Sequence, residues 1–442
     1  MNKQFDYFKK NIQLFYEIEG LDIGYGEEGN HKIYIKQSID DSFWQNLQDI
    51  NPEQVVWKSF RDVSIPFLFE TNPESELITI HDRKISINYD IVASSFYFLS
   101  GWNEHVNPIK DEFGRISYKN SIIKQLNCSN IPVVNYYFEI LNEAIELAYQ
   151  TKSKKKTWQE HNLAVSLTHD IDTCLSAWLQ GGFSELKKKK LFSMMSLILK
   201  RIFKEDDWFN FKTIVDLEKS FGATSSFYFL AKKGNRGKWK NGDYDIRDKK
   251  MQKALTYLKE TGNEVGVHGS FGTHNDSKRF KHDIEIIQSK PIQGNRFHFL
   301  MFDPEKTVSV LEDNEIQYDT SLGFAEQIGF RRATCYPFFL YNFEKDRIST
   351  VIEIPLIVMD GTLSNKKYMG LEKEAAVSKV FELIDEIAKF NGVFTLLWHN
   401  THFSEYKYTG WNEVYQSLLA YSKEKKGLLT NGKIIHDRIS QL

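Results

Sequence analysis

From Leu163 onward the chain repeats one theme, and that theme limits the possible folds more than any other feature. Short apolar runs recur: LAVSLTHDID (163–172), GATSSFYFLA (222–231), GNEVGVHGS (262–270), GNRFHFLMF (294–302), EIQYDTS (315–321), VIEIPLIVM (351–359) and GVFTLLWHN (392–400). Between several of them lie segments with helical apolar spacing, such as FKTIVDLEKSF (211–221) and MQKALTYLKET (251–261). Strands that alternate with helices imply parallel pairing through βαβ units. Seven such runs predict an α/β barrel rather than an open sheet. In barrels of this kind, catalytic side chains sit at the C-terminal ends of the strands.

The front of the chain has a different texture. Strand-like runs, IYIKQSI (33–39), ITIHD (78–82) and ISINYDIVASSFYFLSGW (85–102), alternate with loops, and NYYFEILNEAIELAYQ (135–150) has helical spacing. The polar, basic stretch TKSKKKTWQEHN (151–162) reads as a linker. The chain therefore divides into a smaller α/β domain over 1–155 and a barrel domain over 156–442.

Composition removes several classes of function. The net charge of −2 and a pI near 6.7 give no basic footprint for nucleic acid. Cys128, Cys174 and Cys335 are widely spaced, odd in number and without a CxxC pair, which argues against a disulfide framework or a zinc knuckle. The opening MNKQFDYFKKNIQLFYEIEG lacks the apolar run of a signal peptide, and no apolar stretch is long enough to span a bilayer. Together these predict a cytoplasmic protein. The basic amphipathic stretch FSELKKKKLFSMMSLILKRIFK (183–204) allows two readings. It is either an inserted helix whose apolar stripe packs on the barrel, or a peripheral contact with the inner face of the membrane.

Polar residues gather at the ends of the apolar runs. His169, Asp170 and Asp172 end the first; His268 and His274 end or follow the third; Arg296 and His298 lie in the fourth. Asp319 ends the fifth, and His399 and His402 end the seventh. In a barrel these positions converge on one mouth. Imidazole and carboxylate together suit a zinc-like ion with an open position for water. Such an ion acidifies the water and polarises a carbonyl. A second carboxylate can take the water's proton and an imidazole can protonate a leaving nitrogen, which is amide or ester hydrolysis. Arg331 and Arg332 either bind a phosphate or carboxylate or lie in a surface loop.

The ordered motifs LTHDID, TGNEVGVHGS, GNRFHF, YDTSLGF and LLWHN resemble those of the polysaccharide deacetylase (NodB-homology) family, over roughly residues 163–405. The resemblance implies a deformed (β/α)7 barrel that removes acetyl groups from N-acetylated sugars with a divalent metal ion, zinc being favoured. It implies that Asp170 is the base, Asp172 and His268 are metal ligands, Arg296 orients the base, Asp319 is a supporting acid and His399 is the general acid. The chain departs from the family's common second motif, H-[ST]-x-x-H, because Gly272 stands four residues after His268. The third ligand is then His298, on the strand face of Arg296, or His274, six residues past His268, or a water, or there is none. SSFYFLSGWNEHVNP, GFAEQIGFRRATCYPF, IPLIVMDGTL and LLWHNTHF further resemble a bacterial subgroup that pairs this barrel with an N-terminal domain of unknown function. That subgroup implies a sugar precursor in surface-polysaccharide biosynthesis as substrate. The competing readings are a hydrolase of a non-sugar amide and a non-catalytic glycan-binding scaffold.

Overall fold

The computed structural model describes residues 2–26, 29–70, 72–82, 84–151, 154–156, 158–187, 191–192, 194–196, 199, 205–236, 239–287, 292–405 and 407–441. In the first 150 residues, β1 (Ile23–Tyr25), β2 (Ile33–Ile35) and β6 (Lys84–Ile87) pair in parallel, and β5 (Ile78–His81) lies antiparallel on β6. β3 (Val56–Phe60) and β4 (Val63–Phe67) form a separate antiparallel hairpin. The run 85–102 does not continue as a strand. After β6 the chain turns into the helix Ile91–Ser100, every residue of which is buried. Asp90 caps it by accepting from the Ala93 N–H at 2.8 Å, and Gly101 ends it with φ 76°. An unbroken apolar run carries no periodicity that separates a buried helix from a strand. The marks that do separate them are the N-cap aspartate and the left-handed glycine.

The large sheet is built from β7 (Leu163–Ile171), β8 (Ser226–Leu230), β11 (Glu264–Gly269), β12 (Gly294–Phe297), β13 (Tyr318–Asp319), β14 (Phe338–Asn342), β15 (Arg347–Glu353), β16 (Val358–Met359), β17 (Val393–Leu397) and β18 (Gly427–Thr430). A two-residue pair, β9 (Asn235–Arg236) and β10 (Trp239–Lys240), stands apart. The strand order is β14-β15-β13-β12-β11-β8-β7-β17-β16, and all these neighbours are parallel except β14 and β15. β15 and β16 lie towards opposite ends of this path, yet only residues 354–357 separate them in the chain. The Ile354 N–H still donates to the Asp319 carbonyl of β13 at 2.9 Å, whereas the Ile357 N–H donates to Thr395 of β17 at 3.2 Å. Pro355, which has no N–H to offer a ladder, falls where the strand changes partner. One bent strand thus completes the ring in place of a ladder. The result is a deformed (β/α)7 barrel, with one ring strand in each of the seven apolar runs.

β18 fills a gap in that ring. β8 pairs with Thr168–Ile171 of β7, and β18 pairs with Leu163–Ser166 of the same strand. All nine residues of β7 are buried. The flanking helices are one-sided: Phe211–Ser220 buries Phe211, Ile214, Val215 and Glu218, a spacing of three, four and seven from the first.

The apolar core runs without a break from the N-terminal part into the barrel. Phe15 stacks on Tyr336 at 3.8 Å between ring centroids. Arg331 and Arg332 are buried here, not in a surface loop. Arg331 Nε and Nη2 donate to the two oxygens of Glu104 at 3.0 and 2.9 Å, and Arg332 Nη2 donates to Glu104 at 2.9 Å. Burial would raise the Glu104 pKa, but the two guanidinium groups outweigh it and hold the carboxyl below its usual range.

Of the basic stretch 183–204, residues 188–190, 193, 197, 198 and 200–204 lie outside the described residues. Where the stretch is described, the expected packing of an apolar stripe on the barrel does not occur. Phe183, Leu186, Leu191, Phe192, Met195 and Leu199 are exposed. Among the described residues, no helix is long and apolar enough to cross a membrane.

Candidate metal centre

The geometry starts from a buried arginine. Arg296 sits in β12, side by side with His268 of β11. It is fully buried, and its Nη1 donates to Asp170 Oδ1 at 3.0 Å and Thr168 Oγ1 at 2.8 Å. Its Nε donates to the Thr320 carbonyl at 2.9 Å. A guanidinium out of water needs such partners, and here they also fix the carboxylate of Asp170. Asp170 Oδ2 then lies 3.8 Å from His268 Nε2.

His268 Nδ1 is 2.7 Å from the Arg296 carbonyl oxygen. A carbonyl can only accept, so Nδ1 carries the hydrogen and Nε2 presents its lone pair to the barrel mouth. That Nε2 is 3.0 Å from His298 Nδ1 and 3.3 Å from Asp172 Oδ1, and His298 Nδ1 is also 3.3 Å from Asp172 Oδ1. Asp172 Oδ1 is buried without a hydrogen-bond partner. Burial would raise the Asp172 pKa, yet His298, His268 and His399 outweigh it and hold the carboxyl well below its usual range. Two imidazole nitrogens beside an ionised carboxylate oxygen that receives no hydrogen bond fit a zinc-like ion, and the half-buried Asp172 side leaves an approach for water.

His298 reaches this point through an unusual turn. β12 stops at Phe297, and Phe299 and Leu300 follow with φ 63° and 55°. Left-handed backbone at two bulky residues costs on the order of 1–3 kcal/mol each and marks sites where structure serves something other than stability. His274 takes another course. It is buried beside Phe297, away from the three donor atoms, and burial pushes its pKa down to about 4. Asp319 is buried too, and accepts from Asn295 Nδ2 at 2.6 Å and from Ser321 N and Oγ at 3.0 Å. It braces the strand end next to Thr320, whose carbonyl holds Arg296.

His399, at the end of β17, faces Asp172 from the other side, with Nε2 3.8 Å from Asp172 Oδ2. Its Nδ1 is 2.8 Å from Asp360 Oδ1, and its backbone N–H donates to Asp360 Oδ2 at 2.6 Å. Burial opposes a charge on His399, but Asp360, then Asp172 and Asp170, outweigh it and push the pKa up to about 10. His402 is on the far side of the same carboxylate, with Nδ1 2.9 Å from Asp360 Oδ2 and its ring stacked on Tyr408. Asp360 is not among the residues that the sequence motifs select. It directly follows β16, within IPLIVMDGTL, so the strand-end rule applied to the sixth run would have selected it. His169 is fully buried and bonds Trp398 O at 2.6 Å and Glu218 Oε1 at 2.8 Å, on the opposite face of β7 from Asp170.

Residues 2–150 match a family model described as a family of unknown function, DUF7033. No curated protein matches the chain. Among solved structures, the chain is similar to a candidate polysaccharide deacetylase from Mycobacterium smegmatis, at 13% identity over 65% of this chain and 93% of that one, with a TM-score of 0.43. It is similar to an allantoinase at 11% identity over 64% and 91%, with a TM-score of 0.41. It is also similar to a carbohydrate esterase family 4 pseudoenzyme from Bacillus anthracis at 12% identity over 62% and 66%, with a TM-score of 0.30.

Proposed function

We propose that the chain is a divalent-metal-dependent hydrolase that removes N-acetyl groups from an N-acetylated sugar or glycan precursor used in surface-polysaccharide biosynthesis. The supporting observation is that a base, a ligand set and an acid surround one point. Asp172 Oδ1 lies 3.3 Å from both His268 Nε2 and His298 Nδ1, Asp170 Oδ2 is 3.8 Å from His268 Nε2, and His399 Nε2 is 3.8 Å from Asp172 Oδ2. Asp172, His268 and His298 would hold the ion, and nitrogen and oxygen donors in this mixture favour zinc. Bound there, such an ion supplies a water acidified towards neutral pH and polarises the acyl carbonyl.

The remaining steps belong to the chain's own side chains. Asp170, held through Oδ1 by Arg296, accepts a proton from the attacking water. His399, kept protonated by Asp360, gives a proton to the departing nitrogen as the carbon–nitrogen bond breaks. Acetate and an amino sugar leave. A non-catalytic glycan-binding reading rests on Gly272 at the position of the family's second histidine. What favours the catalytic reading is His298, which brings a nitrogen within 3.3 Å of the same carboxylate from the turn after β12.

The test is metal content together with acetate release from N-acetylhexosamine compounds, for the wild type, Asp172→Ala and His298→Ala. The expected result is about one equivalent of zinc or a similar ion in the wild type and little in either variant, with acetate release following the metal. A protein that takes up no metal even after it is added back would overturn the proposal.

A further inference from the structure

We propose that a helical hairpin at the barrel mouth docks on an anionic lipid surface. The hairpin comprises the helix Ala177–Lys187 and the helical residues 191, 192, 194–196 and 199. Met194 lies 3.7 Å from where a Cβ on Gly182 would stand. Residues that far apart in one straight helix would be separated by about 18 Å, so the two helical pieces lie side by side.

What they present to solvent is unusual. Of the thirteen large apolar side chains exposed among the described residues, eight are Trp178, Leu179, Phe183, Leu186, Leu191, Phe192, Met195 and Leu199. Phe192 is 93% exposed and Phe183 59%. At about 100° per residue, Leu191, Phe192, Met195 and Leu199 fall within a single arc of about 100°. Trp178, Leu179, Phe183 and Leu186 fall within about 140°. The buried side of the first piece is made of Ala177, Gly181, Gly182 and Glu185, so its apolar face is turned outward. An exposed apolar surface this concentrated marks an interaction site in a soluble protein.

Charge identifies the partner. From Lys187 to Lys204 the sequence holds seven basic residues, Lys187, Lys188, Lys189, Lys190, Lys200, Arg201 and Lys204, and no acidic one, in a chain whose net charge is −2. Lys187 Nζ sits over the Phe183 ring at 4.7 Å, so a cation and an apolar side chain share one place on the surface. Apolar side chains that enter the acyl boundary beside cations at headgroup level are the chemistry of interfacial binding to anionic lipid.

The root of the hairpin ties this surface to the metal centre. Asp206 Oδ1 accepts from Ala177 N at 3.2 Å and Trp208 N at 3.1 Å, which clamps the two ends of the excursion together. Asn400 Nδ2 donates to Thr173 O at 2.9 Å and Trp208 O at 2.7 Å, and Asn400 directly follows His399. Docking therefore brings the mouth of the barrel to the membrane, where a lipid-linked sugar would be presented. That last consequence rests on the proposed hydrolase, whereas the docking does not.

The experiment is flotation of the full chain with vesicles of phosphatidylcholine alone and of phosphatidylcholine containing about one third phosphatidylglycerol. It is repeated with the doubly substituted Phe183→Ser, Phe192→Ser chain and with Lys187→Glu, and circular dichroism melting serves as the check on folding. The expected result is flotation with the anionic vesicles that weakens with salt. The serine variant should partition roughly tenfold less or weaker still, and Lys187→Glu several-fold less, both with an unchanged melt. Absence of flotation, or flotation that the serine variant leaves intact, overturns the proposal. So does a concentration-dependent dimer that the serine variant dissolves, since the face would then belong to a second copy of this chain. The readout uses no catalysis, so failure of the hydrolase reading leaves it unaffected.

Discussion

Asp172 with His268 and His298, and Asp360 with His399 and His402, offer the same kinds of donor atom at the same end of the barrel, each set lying within 4.8 Å of one another. What separates them is where the hydrogens are. In the first set, the Arg296 carbonyl takes the His268 Nδ1 hydrogen, and Asp172 Oδ1 receives no hydrogen bond. A buried carboxylate oxygen with no donor, beside two imidazole nitrogens, is an arrangement that a cation suits. In the second, Asp360 Oδ1 is 2.8 Å from His399 Nδ1 and Oδ2 takes the His399 backbone N–H at 2.6 Å. Its oxygens are already served by hydrogens, and the cluster is an ion pair. Residue type and spacing do not distinguish a metal site from a charge relay, whereas the partners of each lone pair do.

The largest effect that could break this comparison is in metal content. Asp172→Ala and His268→Ala should each reduce bound zinc from about one equivalent to a small fraction, while Asp360→Ala should leave it near the wild-type level. Elemental analysis of the purified proteins decides it. Equal loss of metal from both clusters would mean that the second also coordinates an ion.

Next in size is the rate. Asp360→Asn should retain the metal and lower kcat on the order of 10²- to 10⁴-fold, the range for a lost general acid. The pH profile adds a sign. Burial lowers the His399 pKa, and Asp360 together with Asp172 and Asp170 more than restores it, so removing the Asp360 charge must lower it. A general acid works while protonated, and activity is lost as pH rises through its pKa. The alkaline limb of kcat should therefore move towards lower pH in Asp360→Asn. A limb that stays in place assigns the proton to another group.

Arg296→Gln tests the first cluster from behind. It leaves all three donor atoms but releases Asp170 Oδ1 and the Thr168 hydroxyl. Metal should be retained at slightly lower affinity, with kcat falling roughly 10- to 100-fold, the usual cost of removing a partner that orients a site. Loss of metal as severe as in Asp172→Ala would make Arg296 a keystone of the ligand set rather than of the base.

How much of this could be read in the sequence depends on which interaction carried the information. The ring strands were legible, because each occupies its own apolar run and the runs alternate with helical spacing. The closure of the ring was not, since a strand that changes partner at Pro355 looks like one continuous run, VIEIPLIVM. The helix Ile91–Ser100 was hidden for the same reason, apolar continuity without a period. At the site, the strand-end rule gathered Asp170, Asp172, His268, Arg296 and His399 at one mouth. It could not choose between His298 and His274, because the turn that presents His298 is made by Phe299 and Leu300, with no glycine to mark a left-handed backbone. Arg331 and Arg332 gave no sign of burial, since their partner Glu104 is more than two hundred residues away in sequence.

The finest test concerns His402. Its Nδ1 is 2.9 Å from Asp360 Oδ2, its Nε2 is 3.2 Å from Ser364 Oγ, and it is almost fully buried against Tyr408. Burial lowers its pKa in spite of Asp360, so of the two histidines on that carboxylate His399 is the one that carries the charge. His402 then acts as a wedge that keeps Asp360 aimed. His402→Phe keeps the ring and its packing while removing both nitrogens. Stability should fall by about 1–3 kcal/mol, the cost of leaving a buried polar group without its partner. Metal should not change, and kcat should fall by roughly tenfold at most. The informative result is the balance between these readouts. A Tm loss with metal intact keeps the second cluster as a relay. Metal loss with Tm intact would show that the second set of lone pairs also meets a cation, and the distinction between the two clusters would fail.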